Sequence, residues 1–176
     1  EVQDTFFGEV LAAQRRADLG CRVSHETHRG RVLNNPWTTL RLLDRHQDLF
    51  VTGDFSHWLL VSERLLRGTR REREMWDAVV PRTLHVHARV GGEQRPQYDD
   101  PVSEGACGAR EALEGIWIKV WESRRAAGAP WVSVTPEYGP VPYSDSLDDT
   151  SSLTVRESHR LRALFGMDKE PAPRGP

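Results

Sequence analysis

The sequence predicts an α/β fold in which about four parallel strands alternate with helices. Short runs of apolar residues each end in a polar loop, and the segment that follows carries apolar residues at helical spacing. Strands that alternate with helices in this way are typical of parallel βαβ units. With 176 residues, the chain can form one hydrophobic core but is short for two ordinary domains.

Local signals indicate where the elements begin and end. Gly20 ends the first helix, Asn35-Pro36 is typical of a helix N-terminus, and Pro81 and Gly91 bound the third strand. The segment 166–176 is rich in proline, glycine and charge, so we expect a domain at 1–165 and a flexible C-terminal tail. In order, the predicted elements are a helix at 4–19, a strand at 21–23, a helix beginning at 35, a strand at 49–52, helices at 59–66 and 72–80, a strand at 83–90, a helix at 109–127 and a strand at 131–135.

Composition and charge exclude several classes of partner. The chain has 24 basic and 26 acidic residues, and a formal charge of −2 gives no electrostatic footprint for nucleic acid or an anionic membrane surface. No apolar run approaches the roughly 18 residues of a membrane span, and the N-terminus lacks the pattern of a signal peptide. We therefore expect a cytoplasmic protein with no nucleic-acid or membrane partner. Because the sequence begins with Glu1 and not Met, we also expect a piece of a longer protein.

Some residues are more simply explained by packing. Two cysteines cannot make a disulfide framework, and Cys21, at the start of a predicted strand, is expected in the core. Trp117 and Trp121 are four residues apart on a predicted helix, so we expect both to pack against the sheet. Trp58, next to His57, is the tryptophan that we expect to line a pocket.

Each predicted strand delivers a potential metal ligand at its C-terminal end. The four residues are Glu26, Asp54, His87 and Glu137. The carboxyl ends of parallel barrel strands open on one face, so these side chains are expected to converge. Three carboxylates and one imidazole suit Mn²⁺ or Mg²⁺ best, with Co²⁺ and Zn²⁺ as alternatives. The long loop 91–108 precedes the last of them and is a candidate lid over the site.

Taken singly, each ligand candidate also has a structural interpretation. A carboxylate after a strand is often a helix N-cap, and Asp54 has a suitable position for that role. His85 and His87 lie on the same side of their strand, so one is expected to bind the ion while the other packs below it. We favour His87 as the ligand because it is closer to the C-terminal end of the strand.

The order of these motifs resembles the metal site of the xylose isomerase-like superfamily. The pattern is an acidic residue, then Asp-x-x-His, then a strand with His-x-His, then a final Glu, and it covers roughly residues 1–145. The resemblance implies that the chain is the C-terminal half of a (β/α)8 TIM barrel, strands five to eight of the family. The implied metal ligands are Glu26, Asp54, His87 and Glu137.

The same resemblance implies a function. The nearest members in function are ketohexose 3-epimerases and sugar-phosphate isomerases, so the chain is expected to be a metal-dependent isomerase or epimerase of a sugar, sugar phosphate or related polyol. Glu26 and Glu137 would be catalytic and transfer a proton through an enediolate. The histidine of Asp-x-x-His, His57, would contact substrate, and the arginine beyond the histidine ligand would be Arg95. His28 is a further candidate for binding sugar hydroxyls.

Two other functions stay open at this point. A hydrolase of the endonuclease IV type shares the scaffold and would cleave phosphodiesters, but it needs more metal ligands and a basic groove. The second alternative is a catalytically silent, truncated barrel. Four βα units leave two open sheet edges, which favours a homodimer or completion by a missing N-terminal half-barrel.

Overall fold

The computed structural model describes residues 1–144 and 150–167. They form one four-stranded sheet, with strand order β1-β2-β3-β4, that alternates with helices. The expected tail begins at 166, and its residues 168–176 lie outside the described part of the chain. The elements are α1 (Val2–Ala17), β1 (Ser24–Glu26), α2 (Pro36–Arg45), β2 (Phe50–Gly53), α3 (Ser56–Ser62), α4 (Arg70–Val79), β3 (Thr83–Ala88), α5 (Cys107–Ala126), β4 (Ser133–Pro136) and α6 (Thr150–Leu164), with short 3₁₀ turns at Val80–Arg82 and Glu104–Ala106.

All neighbouring strands of the sheet are parallel, which confirms the predicted α/β class. Glu26 pairs with Thr52, and Gly53 pairs with Val86 in the next strand. Ala88 in turn pairs with Pro136 of the last strand. The carboxyl ends of the four strands therefore lie along one edge of the sheet. The closed barrel from which these units would come stays a prediction.

The core lies between the sheet and the helices that cover it. Phe55, Trp58 and Trp76 form an aromatic cluster with ring centroids 5.0 to 5.8 Å apart. The expectation that Trp58 lines a pocket is wrong, because its side chain is fully buried and its indole N–H donates to the carbonyl of Leu33. Trp117 is buried as predicted, while the half-buried Trp121 stacks on Phe165.

Two strand boundaries differ from the prediction because apolar runs do not mark them. Asp18 and Gly20 both have positive φ, so the chain turns after α1 and enters the sheet only at Ser24. Cys21 therefore lies in an exposed connection, and its predicted place in the core is wrong. The last strand begins two residues after Trp131, which is 71% exposed.

The last helix, α6, was not predicted from the sequence, and a buried ionic network attaches it to the domain. Glu157 is 3% exposed and accepts a hydrogen bond of 3.0 Å from the hydroxyl of Tyr138. Both of its oxygens also accept from Arg160, at 2.7 and 2.8 Å. Arg160 reaches Glu114 on α5 as well, so one network joins α6, α5 and the segment after β4. No described helix has both the length and the apolar character needed to cross a membrane.

We expect Glu157→Gln to lower the free energy of unfolding by about 1.5–3 kcal/mol, the usual contribution of hydrogen bonds to a charged group. The amide keeps the shape but loses the charge that faces Arg160. Urea denaturation measures the change, and Glu122→Gln on the exposed face of α5 is the matched control, with an expected effect within about 0.5 kcal/mol. Equal stabilities of the two variants would contradict this account of α6.

Candidate metal centre

Three of the four predicted ligands meet at the carboxyl edge of the sheet. One ligand atom from each of Glu26, His87 and Glu137 lies within 4.8 Å of the others. Nδ1 of His87 is 3.3 Å from Oε1 of Glu26 and 2.9 Å from Oε2 of Glu137. These residues come from the ends of β1, β3 and β4, so only the tertiary fold brings them together. Two carboxylates and an imidazole at this separation can share one divalent ion.

Asp54 lies beside this group, directly after β2, and is fully buried. Its Oδ1 accepts a hydrogen bond of 2.5 Å from the hydroxyl of Ser56, which lies in the first turn of α3. Its Oδ2 lies 3.4 Å from Nε2 of His57 and 3.2 Å from Nη2 of Arg89, yet neither contact has hydrogen-bond geometry. A buried carboxylate oxygen without a donor is costly unless a cation approaches it. Asp54 thus stays a predicted fourth ligand outside the group of three.

Gly53 explains how the chain can place Asp54 at this point. A Cβ at Gly53 would collide with the ring of Phe55, which is buried beneath the strand end. The register between β2 and β3 also shifts at Val51 and Thr52. Glycine therefore allows the aromatic ring to fold back under the strand, and the following carboxylate points towards the sheet edge.

Arg89 is the main residue of the site that the sequence analysis missed. It is 3% exposed, and its Nη2 lies 3.2 Å from Oδ2 of Asp54 and 2.9 Å from Oε1 of Glu137. Arg89 follows His87 by two residues, and in an extended segment this spacing places both side chains on the same side. This alternation is the sequence signal that could have identified Arg89. The predicted arginine, Arg95, is exposed and stacks on Tyr98, with 5.1 Å between guanidinium and ring centroid. Within residues 1–144 and 150–167, it forms no ion pair with a predicted ligand.

The charges at the site act on one another. Burial raises the pKa of the Asp54 carboxyl, and the Arg89 guanidinium offsets only part of this effect. Burial also acts to raise the pKa of Glu137, but His87 and Arg89 outweigh it and hold that pKa below its usual range. Glu137 in turn raises the pKa of His87. The main cause is the close approach of Oε2 of Glu137 to Nδ1 of His87, 2.9 Å away, and the charges of Glu137, Glu26 and Asp54 add to it. Glu137 is consequently an ionised carboxylate at neutral pH.

The rings of His57 and His28 are in contact next to Asp54, with 4.2 Å between ring centroids and an angle of 59° between ring planes. Burial lowers the pKa of His57 to about 3, so this imidazole is neutral. Its Nδ1 accepts from Nη1 of Arg29 at 3.0 Å. Because arginine can only donate, the single ring proton of His57 must lie on Nε2, on the side of Asp54.

His28 has a fixed tautomer as well. Its Nδ1 accepts from the backbone N–H of Gly30 at 3.0 Å, so a neutral ring carries its proton on Nε2. This nitrogen lies 3.1 Å from the hydroxyl of Tyr143. Burial lowers the pKa of His28, which favours the neutral form. Tyr143 is a second residue that the sequence analysis missed, in the proline-rich segment after β4.

His85 and the loop 91–108 both pack against parts of the site. Nδ1 of His85 lies 2.7 Å from the hydroxyl of Ser133, and its ring is 5.1 Å from that of His87, as expected for the histidine that packs below. In the loop 91–108, the amide of Gln97 forms hydrogen bonds with both the N–H and the carbonyl of Gly139. The loop thus packs on the segment that carries Glu137. Its role as a lid stays a prediction.

The residues present fit a divalent cation. The donor set is rich in oxygen. Among the described residues, the buried carboxylate oxygens that lack a hydrogen-bond donor are Oε1 of Glu72 on α4, which lies 2.9 Å from Arg64, and two at this site, Oδ2 of Asp54 and Oε2 of Glu137. Both belong to predicted ligands, and a cation would satisfy them without further protein donors. Comparisons with known proteins add no identity to this geometry, because no family model, curated protein or solved structure matches the chain.

Proposed function

We propose that this chain is a catalytic part of a metal-dependent isomerase or epimerase that acts on a sugar, a sugar phosphate or a related polyol. The observation that carries the proposal is the convergence of Glu26, His87 and Glu137 from three strand ends to within 4.8 Å. Two carboxylates and one histidine, with Asp54 beside them, suit Mn²⁺ or Mg²⁺. A site at the carboxyl ends of parallel strands is the usual place for catalysis on such scaffolds.

When bound, the ion would polarise the carbonyl and adjacent hydroxyl of the substrate and so acidify the neighbouring C–H bond. The carboxylates of Glu26 and Glu137 approach the same nitrogen of His87 from two different strands. One carboxylate would take the proton from carbon, and the electron pair of that C–H bond would form the enediolate. The other glutamate would return a proton that it has taken up from water, and the first would release its own proton to water. Arg31 pairs with Glu26 and Arg89 pairs with Glu137, so each carboxylate has a cationic partner.

The rings of His57 and His28 would orient the substrate. The N–H of Arg29 fixes the ring proton of His57 on Nε2. That nitrogen has no hydrogen-bond partner among the described residues, so it would donate to a sugar oxygen that reaches this buried ring. Within the described part of the chain, the outer edges of β1 and β4 have no strand partner, and a second copy or an N-terminal half-barrel would pair there. Such pairing would close the site on the sides that the described residues leave open.

Proton exchange tests this function without knowledge of the exact product. The Mg²⁺-loaded protein is incubated in D₂O with a panel of aldoses, ketoses and their phosphates, and ¹H NMR follows the carbon next to the carbonyl. The expected result is loss of that proton signal for at least one sugar, with no loss for Glu137→Gln. No exchange on any member of the panel by protein that binds Mg²⁺ would contradict the proposal.

A further inference from the structure

We propose that Arg29 binds an anionic group of the substrate, a carboxylate or a phosphate, so that the substrate class is a sugar acid or a sugar phosphate. The inference rests on the proposed function, since it takes the ligand of Arg29 to be the molecule held at the metal centre. Arg29 lies in the loop after β1, three residues beyond Glu26.

Among the described residues, Arg29 differs from the other two arginines of the site because it has no carboxylate partner. Arg31 pairs with Glu26, and Arg89 contacts both Asp54 and Glu137. Across residues 1–144 and 150–167, no Asp or Glu oxygen lies within 4.0 Å of the Arg29 guanidinium, whose polar contact is with the neutral ring of His57 at 3.0 Å. One N–H group is thereby used, and the remaining donors of this planar fork match a carboxylate or a phosphate.

The position of Arg29 is right for one end of a small substrate. The guanidinium groups of Arg89 and Arg29 both lie over the ring of Tyr143, at 4.3 Å and 4.8 Å from its centroid. Arg89 is part of the metal centre, so a single aromatic ring contacts both that centre and Arg29. His57 connects the same two places, since one nitrogen accepts from Arg29 and the other faces Asp54. A substrate whose carbonyl end lies at the metal can therefore place its far end at Arg29.

The charge balance of the site also favours an anion. Three carboxylates, Glu26, Asp54 and Glu137, face two arginines, Arg31 and Arg89, so a bound divalent ion would leave one net positive charge. Arg29 adds another positive charge that no described acidic group offsets. A neutral sugar would leave this excess in place, whereas a carboxylate or phosphate would neutralise it in a half-buried setting where charge pairing is stronger than in water.

Three hexoses that differ only at carbon 6 test the inference: D-glucose, D-glucuronate and D-glucose 6-phosphate. Isothermal titration calorimetry with Mg²⁺-loaded protein measures the affinity for each. We expect one of the two anions to bind about tenfold or more tightly than D-glucose, the usual gain from charge-assisted hydrogen bonds, and the tighter anion identifies the source of the charge. If neither anion binds more tightly than D-glucose, including the case in which none of the three binds, the inference is overturned.

Two variants and one control separate binding by Arg29 from a structural role. Arg29→Gln should abolish the preference for the anion over D-glucose, and Arg29→Lys should retain part of the preference because it keeps the charge. Arg95→Gln, at the exposed arginine that the sequence favoured, should leave the preference unchanged. A preference that survives Arg29→Gln or disappears with Arg95→Gln counts against Arg29. A failure of Mg²⁺ binding in the same calorimeter would instead count against the proposed metal centre.

Discussion

Glu137→Gln is expected to weaken Mn²⁺ binding by at least about 100-fold and to lower turnover by about 10²–10⁴-fold. Removal of a residue that only orients a metal ligand weakens metal binding by up to about 100-fold, so removal of the ligand itself should weaken metal binding by at least as much. The figure for turnover is the usual contribution of a positioned acid or base. Glutamine keeps the shape of the side chain but removes the negative charge that Arg89 and His87 hold in place.

Calorimetric titration with Mn²⁺ measures the first effect, and the rate of proton exchange on a responsive sugar measures the second. Glu122→Gln, an exposed change on α5, is the control and should leave both unchanged. If Glu137→Gln binds Mn²⁺ as tightly as the unmodified chain and turns over as fast, Glu137 is neither ligand nor catalyst. A loss of turnover alone would restrict Glu137 to the role of acid or base.

Arg89→Met is expected to destabilise the metal-free protein by about 3–5 kcal/mol, the cost of removing one partner from a buried ion pair. The change leaves the fully buried carboxylate of Asp54 without its cationic partner. It also removes the positive charge that Asp54 and Glu137 share, so the two carboxylates repel each other. In a domain of this size, 1 kcal/mol corresponds to roughly 2–4 °C in Tm, so the expected shift is on the order of 10 °C. Mn²⁺ is expected to recover part of the loss, because the ion supplies positive charge to the same oxygens.

Denaturation with urea in the presence of EDTA measures this effect. The double variant Asp54→Asn, Arg89→Met removes both charges and should be more stable than Arg89→Met alone. Arg95→Met is the matched control, since Arg95 is exposed and stacks only on Tyr98 among the aromatic rings described. If Arg89→Met costs no more stability than Arg95→Met, the guanidinium does not hold the two carboxylates together.

The order of the candidate ligands could be predicted from the sequence because a parallel sheet converts order along the chain into position along an edge. Glu26 and His87 lie at the carboxyl ends of β1 and β3, and Asp54 and Glu137 directly follow β2 and β4. The structure brings Glu26, His87 and Glu137 into one group. The exact strand limits could not be predicted in the same way. Ser24 to Glu26 is a polar segment without apolar alternation, and it enters the sheet through backbone pairing with β2.

The second layer of the site was missed because its signals are not periodic. Arg89 acts through a single nitrogen that reaches two carboxylates from different strands, and such a contact depends on the separation of strands in space. Arg29 and Tyr143 are far apart in the sequence and meet only after the segment beyond β4 folds back over β1. The buried Glu157 of α6 is similar, because its partner Tyr138 lies before the helix and its role is invisible in the pattern of α6 itself.

The number of Mn²⁺ ions bound per chain tests the central claim most directly. Equilibrium dialysis against Mn²⁺, followed by elemental analysis, is expected to give about one ion per chain for the unmodified protein and none for His87→Ala, since one shared ion is what three ligands of this geometry hold. No bound Mn²⁺ in the unmodified chain, or full occupancy in His87→Ala, would contradict a metal centre at the carboxyl edge of the sheet. Two or three ions per chain would contradict the isomerase and favour a metal-dependent hydrolase.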